Sequence, residues 1–145
     1  MKTTFFLLTL FLALSSCRKY EHWQTEQNLS KIAGNWQLNH ISTENEAGDL
    51  VQAHFFRDGE WRWRFESCDL DSVSFCEGVE NQYNTNNELV YSKTFQYRFS
   101  ADNDFFERNG VTFHLDKLNK SKLRYYFLDS SNMQKTYYEF EKLAE

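Results

Sequence analysis

From Gly34 onward, apolar and polar residues alternate along the chain, and turn residues interrupt the alternation every eight to twelve positions. Successive side chains of a β-strand point to opposite faces, so this period of two predicts strands with one buried and one solvent-facing side. Short, regularly spaced strands are typical of antiparallel sheets, because parallel pairs need long crossover connections. The pattern therefore predicts an all-β chain folded as an antiparallel sandwich or barrel.

We expect ten strands. Their predicted bounds are Asn35–Thr43, Leu50–Arg57, Glu60–Ser67, Phe75–Tyr83, Glu88–Tyr91, Lys93–Ser100, Phe105–Arg108, Val111–Lys117, Lys122–Leu128 and Lys135–Leu143. Sequential hairpins without a long crossover favour an up-and-down meander, and closing that sheet on itself would remove its exposed edges. The fold class that we predict is an antiparallel up-and-down meander closed into a barrel.

The composition agrees with strands and restricts the turns. The chain has 14 Phe, 8 Tyr and 4 Trp, which favour strands, but no Pro and 5 Gly, so turns must depend mainly on Asn, Asp and Ser. Asp58-Gly59 and Asn109-Gly110 are the strongest two-residue turns, and the second would place Arg108 opposite Val111. The net charge of −5, without a run of like charge, makes nucleic acid an unexpected partner.

The N-terminus has the pattern of a secretion signal. A basic start with Lys2 precedes an apolar run, Phe5–Leu14, which as a helix would cover about 15 Å, half of a bilayer core, and so is too short to span it. Leu14-Ser15-Ser16-Cys17 resembles the lipobox of bacterial lipoproteins. The alternative is an ordinary signal with a cleavage site that happens to lie near a cysteine.

The lipobox resemblance implies cleavage before Cys17 and acylation of that residue, because two or three acyl chains make membrane attachment effectively permanent. The expected organisation is a signal peptide over 1–16, a lipidated tether over 17–30 and one domain over 31–145. Within the tether, Asn28 or Ser30 would cap a single helical turn through Ala33.

Two further cysteines, Cys68 and Cys76, remain in what secretion would make an oxidising compartment. An even pair this close in sequence predicts a structural disulfide. A metal or redox site would need a tighter Cys-x-x-Cys or neighbouring histidines, and neither is present. If both cysteines face each other across a hairpin, Arg64 lies opposite Glu80, and the disulfide lies on the solvent side of the sheet.

Gly34-Asn35-Trp36, at the start of the first predicted strand, resembles the G-x-W opening of lipocalins and of the lipocalin-like domains of many bacterial lipoproteins. The segments Val111–Leu118, Lys122–Phe127 and Tyr137–Lys142 are similar to the closing strands of those domains. The resemblance implies a barrel of eight to ten strands whose open end can hold a small apolar molecule. It also implies that Trp36 packs at the closed end beneath a late basic residue, for which Arg124 and Lys135 are the candidates.

Aromatic side chains at inward positions are the candidates for lining such a site. They are Trp61, Trp63, Phe65, Tyr97, Phe99, Phe113 and Tyr125. The Trp61–Phe65 segment leaves three interpretations open: plain core residues, a ligand-lining wall, or an exposed aromatic and basic ridge that binds a protein or glycan.

The sequence contains no pattern that predicts catalysis. Its four histidines are scattered, its serines lack the G-x-S-x-G elbow, and the acidic turn at Asp102 and Asp104 lacks the Gly and Glu positions of a calcium loop. We therefore expect a non-enzyme, with no metal and no cofactor.

Two functions from different classes follow as expectations. One is a lipid-anchored barrel that binds a small hydrophobic ligand; the other is a filled barrel that binds another envelope protein, as an inhibitor or accessory subunit would. The expected location is the cell envelope. Arg18 and Lys19 follow the anchor without an Asp, so the resemblance to lipoprotein sorting signals favours the outer membrane over the inner one.

Overall fold

The computed structural model describes residues 23–69, 73–100 and 102–144, so the predicted signal peptide and Cys17 lie outside the described residues. Within these ranges the chain forms one helix, α1, over residues 23–32, and nine strands. The strands are β1 (Gly34–Glu44), β2 (Leu50–Phe55), β3 (Trp61–Phe65), β4 (Cys76–Tyr83), β5 (Leu89–Phe99), β6 (Phe105–Arg108), β7 (Val111–Leu118), β8 (Lys122–Asp129) and β9 (Gln134–Lys142). None of the described helical structure is both long enough and apolar enough to cross a membrane.

The sheet is an antiparallel meander that closes on itself. From β3 to β9 each strand pairs with the next, and β9 returns to pair with β1. Because β1 also pairs with β3, hydrogen bonds run around a ring of eight strands. The predicted closed all-β meander is confirmed. The expected tenth strand is absent from the described chain because Ser92 pairs with Asn81 without a break, so Glu88–Tyr91 and Lys93–Ser100 form the single strand β5.

The two predicted tight turns differ. Asn109 and Gly110 have φ of 49° and 81°, and the turn joins β6 to β7 with Arg108 opposite Val111, as predicted. Asp58-Gly59 is a turn but not a hairpin, because β2 and β3 lie along the same edge of β1 rather than beside each other. The Gln37 side chain bridges this turn: its Oε1 accepts from the Gly59 amide at 2.9 Å, and its Nε2 donates to Asp58 at 3.2 Å.

The helix is longer and begins earlier than the predicted single turn. Its buried residues, Thr25, Asn28, Leu29 and Ile32, follow the i, i+3, i+4, i+7 spacing of one helical face. Because two of these residues are polar, the helical spacing cannot be recognised from apolar residues in the sequence. Asn28 is held inside by a hydrogen bond of 3.2 Å from its Nδ2 to Oδ1 of Asn103. Leu29 and Ile32 join the barrel core, so α1 packs against one end of the barrel.

The predicted disulfide between Cys68 and Cys76 is confirmed, with the Cα atoms 5.4 Å apart. Its predicted register and position are wrong. Trp63 lies opposite Glu80, and Arg64 lies opposite Val79, one residue away from the expected pairing. Cys76 is fully buried in the core, so the disulfide is not on the solvent side.

The register differs because Cys68 lies beyond the end of β3, where the chain has left the ladder. The two cysteines therefore close a loop and are not cross-strand partners. The predicted Arg64–Glu80 ion pair does not form. Arg64 instead pairs with Glu66 at 2.6 Å on the outside of the sheet, and the Glu80 side chain faces the interior. The prediction that Trp61, Trp63 and Phe65 face inward is confirmed.

Candidate functional site

The barrel has a closed end, built around Trp36. This side chain is completely buried, as predicted, and its Nε1 donates to the Ile32 carbonyl of α1 at 2.6 Å. The late basic residue over the indole is Lys142, with Nζ 5.4 Å from the ring centre, so neither Arg124 nor Lys135 has the expected role. Lys142 Nζ also donates to the carbonyls of Lys31 and Ala33, which ties the last strand to α1.

Aromatic rings fill the half of the barrel next to this end. Trp63 on β3 contacts Phe140 on β9, with ring centres 4.8 Å apart, and Phe65 on β3 lies 6.1 Å from Phe106 on β6. These are contacts across the interior, between strands that are not neighbours. The closed half is therefore a packed core rather than a cavity.

The other half is open. Tyr91 and Phe127 lie on the same strand faces as the buried Phe95 and Tyr125, yet they are 39% and 40% exposed. At this end of the barrel, side chains on the inner strand faces therefore reach solvent. We call this open half the cup. Its wall is formed by Trp61, Tyr91, Leu115, Phe127 and Tyr138, and its floor by Trp63, Phe95, Phe113 and Tyr125.

The cup floor is a continuous layer of rings. Trp63 and Phe95 have ring centres 5.2 Å apart, and Phe113 and Tyr125 have centres 5.1 Å apart. Phe140 joins the two pairs, since its ring centre lies 4.8 Å from that of Trp63 and 5.6 Å from that of Tyr125. Tyr138 of the wall stacks on Tyr125 at 5.2 Å. Offset and edge-to-face contacts at these distances are favourable, so they stabilise the floor.

One ion pair lies at the inner face of this aromatic layer. Arg108 Nη1 is 3.3 Å from Glu80 Oε2, and the two side chains are 25% and 13% exposed. The guanidinium lies over the Trp63 ring at 4.4 Å and over Phe95 at 5.6 Å. The Tyr91 hydroxyl donates to Glu80 Oε1 at 3.1 Å. A charged pair thus sits inside the barrel, within reach of solvent.

Two donors at this place have no hydrogen-bond partner within the described chain: Trp63 Nε1 and the Tyr125 hydroxyl. Tyr125 is 1% exposed, and burial raises the pKa of its phenol well above the usual value. The charges of Arg108 and Glu80 also act on that pKa, in opposite directions, so the hydroxyl lies in the field of the ion pair. Unsatisfied buried donors are rare in native proteins and call for a partner.

The seven predicted lining residues divide between the two halves of the barrel. Trp61 belongs to the cup wall, and Trp63, Phe113 and Tyr125 belong to its floor. Phe65, Tyr97 and Phe99 lie in the packed closed half, where the Tyr97 hydroxyl donates to the Glu66 carbonyl at 2.8 Å.

The sequence does not predict the Arg108–Glu80 pair. The predicted β3–β4 register differs by one residue from the observed one, and it sets Glu80 on the solvent side of the sheet. Arg108 could have been found, because the Asn109-Gly110 turn sets Phe106 opposite Phe113, and the residue two positions after an inward Phe106 must also face inward.

The described residues contain no group of three or more His, Cys, Asp or Glu side chains that could hold a metal ion. The described histidines lie on the outer surface or at the β2 edge: His40 pairs with Glu139 at 3.3 Å, and His114 stacks on Tyr126 at 4.7 Å. Asp102 accepts hydrogen bonds from Ser100 and from the Asp104 amide within a turn.

No known protein-family model matches the chain, and no curated protein matches it.

Proposed function

We propose that the protein is a cell-envelope lipoprotein whose lipocalin-like barrel binds a small hydrophobic molecule in the cup. The observation that carries this proposal is the exposure of inward-facing aromatic side chains above a packed floor, shown by Tyr91 and Phe127. A molecule that covers such surface gains about 25 cal/mol for each Å² removed from water. The floor is already packed without a ligand, so little rearrangement would oppose binding.

The orientation on the membrane follows from α1. Only five residues separate Cys17 from residue 23, where α1 is first described, and α1 packs at the closed end. An acyl chain on Cys17 would hold that end near the bilayer, with the cup directed away from it. The absence of an Asp beside Arg18 and Lys19 favours the outer membrane, with the domain in the periplasm or at the cell surface.

Fractionation tests the anchor. The protein should stay with membranes after a high-salt wash, and the mass of its N-terminal peptide should include acyl chains on Cys17. Cys17→Ala should release the protein in soluble form or stall its processing. A wild-type protein in the soluble fraction with an unmodified N-terminal peptide would contradict this part of the proposal.

Native mass spectrometry tests the ligand. The full-length protein, purified without added lipid, should carry a co-purified molecule that organic solvent extracts. A homogeneous protein mass with no adduct, together with no saturable binding of added apolar probes, would contradict ligand binding.

A second candidate function is the binding of another envelope protein, and an exposed apolar surface on β2 and β5 supports it. Several apolar side chains of β2 and β5 are more than half exposed: Leu50, Val51, Phe55, Leu89 and Val90. Within the described chain β2 pairs with β1 alone, so its outer edge is open. Exposed apolar patches and open edges are typical of protein interfaces. Site-specific crosslinking from position 55 in cells would give a defined heteromeric product if the protein binds an envelope partner there.

A further inference from the structure

We propose that the molecule bound in the cup is an acid, and that its carboxylate is held at the cup floor by Arg108, Tyr125 and Trp63. This inference rests on the proposed function, because it identifies the ligand class of that same site. It is drawn from the spare donors of Arg108 and from two buried donors of the cup floor, Trp63 Nε1 and the Tyr125 hydroxyl, that have no partner within the described chain.

Arg108 has hydrogen-bonding capacity to spare. A guanidinium carries five N–H donors, and within the described chain Arg108 gives one hydrogen bond, from Nη1 to Glu80. Its guanidinium carbon lies over the Trp63 ring at 4.4 Å, and this contact helps to hold the group at the floor. The remaining donors can bind a carboxylate in the bidentate geometry that arginine favours.

Glu80 positions this arginine. Its two oxygens accept from Arg108 Nη1 and from the Tyr91 hydroxyl, so both are occupied. Glu80 therefore has no free oxygen for a further donor, whereas Arg108 keeps donors for a second anion.

The two unpartnered groups are both donors. Trp63 Nε1 can donate only, and the Tyr125 hydroxyl lies close enough to Arg108 and Glu80 for their charges to act on it. Because the Trp63 ring lies 4.4 Å from the guanidinium carbon, an acceptor that binds Arg108 would lie close to the Trp63 side chain.

This donor set selects among ligand classes. A cation would face Arg108 and would leave both donors unsatisfied. A neutral apolar molecule would cover the rings but would bury the spare Arg108 donors without an acceptor, at a cost in affinity. A monoanionic carboxylate supplies two acceptor oxygens and a single charge. An apolar body on that acid would extend along the wall formed by Leu115, Phe127 and Tyr138.

The test compares dodecanoate with dodecanol, which share a chain and differ in the head group. Calorimetric titration uses the full-length protein kept in solution by an amphipol. The wild type should bind dodecanoate at least about tenfold more tightly than dodecanol, since hydrogen bonds to a charged group are strong enough to change the affinity by that factor. Arg108→Gln should abolish the preference by weakening the binding of dodecanoate alone.

The matched control is Arg98→Gln. This variant removes an arginine that pairs with Glu107 on the outer face at 2.6 Å, and it should bind both probes like the wild type.

Tyr125→Phe provides a second variant that removes one unpartnered hydroxyl without changing packing. It should weaken dodecanoate several-fold and leave dodecanol unchanged. Equal binding of both probes by the wild type, or a preference that survives in Arg108→Gln and in Tyr125→Phe, would overturn the acid site and leave the proposed function standing. Failure of both probes to bind would overturn the two together.

Discussion

Tyr97 and Tyr125 are two fully buried tyrosines whose hydroxyl groups differ in one respect. The Tyr97 hydroxyl donates to the Glu66 carbonyl at 2.8 Å, whereas that of Tyr125 has no partner within the described residues. A buried hydroxyl stabilises a protein only when it is hydrogen-bonded, because its desolvation otherwise goes uncompensated. This difference separates a tyrosine with a structural hydrogen bond from the one that we propose contacts the ligand.

Phenylalanine substitutions should separate the two roles. Tyr97→Phe should lower the free energy of unfolding by about 1 kcal/mol, because it removes a satisfied hydrogen bond and leaves the Glu66 carbonyl without that donor. Tyr125→Phe, measured by urea unfolding without ligand, should leave the free energy unchanged or raise it. A loss of more than about 1 kcal/mol in Tyr125→Phe would show that its hydroxyl is already satisfied in the free protein.

At the scale of elements, the register between β3 and β4 decides which residues of β4 face the barrel interior. Gly78 lies opposite Phe65 on the inner face, where an added Cβ would be 2.4 Å from the Phe95 ring and 2.8 Å from the Arg64 carbonyl oxygen. The backbone oxygen cannot move aside as a flexible side chain could. Gly78→Ala should therefore lower the free energy of unfolding by about 1 to 3 kcal/mol through overpacking.

The control for this prediction is Glu77→Ala, on the exposed outer face one residue away, which should change stability by less than about 0.5 kcal/mol. Urea unfolding of both variants gives the comparison. A neutral Gly78→Ala would mean that Gly78 faces outward, as the register inferred from the cysteines required.

Two hairpins show which strand registers can be predicted from the sequence and which cannot. The β6–β7 pairing followed from sequence because Asn109 and Gly110 tolerate the positive φ that a two-residue turn requires, which leaves one register. The β3–β4 pairing did not, because the long connection between the strands tolerates more than one register. Alternation predicted which β3 side chains are apolar and inward but could not detect a one-residue shift of the partner. The fold was therefore predictable, whereas the Glu80 half of the site was not.

At the scale of the whole molecule, buried phenols make the barrel sensitive to alkali. Burial raises the pKa of Tyr97 and of Tyr125 well above the usual value of 10.0. Below pH 10 both the folded and the unfolded chain keep these protons, and the stability is fully present. Above pH 10 the unfolded chain loses them and the folded chain does not, so the unfolded state is favoured.

The free energy of unfolding should therefore fall above pH 10, by about 1.4 kcal/mol per pH unit for each buried tyrosine. Urea unfolding between pH 8 and about 11.5 measures the slope, and phenolate absorbance should show that these tyrosines ionise only as the protein unfolds. Ionisation of all tyrosines near pH 10 with an intact circular dichroism spectrum would contradict the described burial.

The division of the barrel into a packed half and an open cup is the central claim for function. It can be tested by filling the cup. Leu115 faces inward on β7, opposite Tyr125, so Leu115→Trp would occupy the space beside the cup floor. Thr112 is exposed on the outer face of the same strand, and Thr112→Trp adds the same bulk outside.

The most direct measurement is fluorescence titration of the full-length protein with N-phenyl-1-naphthylamine, a neutral apolar probe. We predict saturable one-to-one binding by the wild type and by Thr112→Trp, and at least about a tenfold weaker affinity in Leu115→Trp, which corresponds to about 1.4 kcal/mol. Equal affinity in all three proteins, or no saturable binding in the wild type, would contradict the claim that the cup is a ligand-binding site.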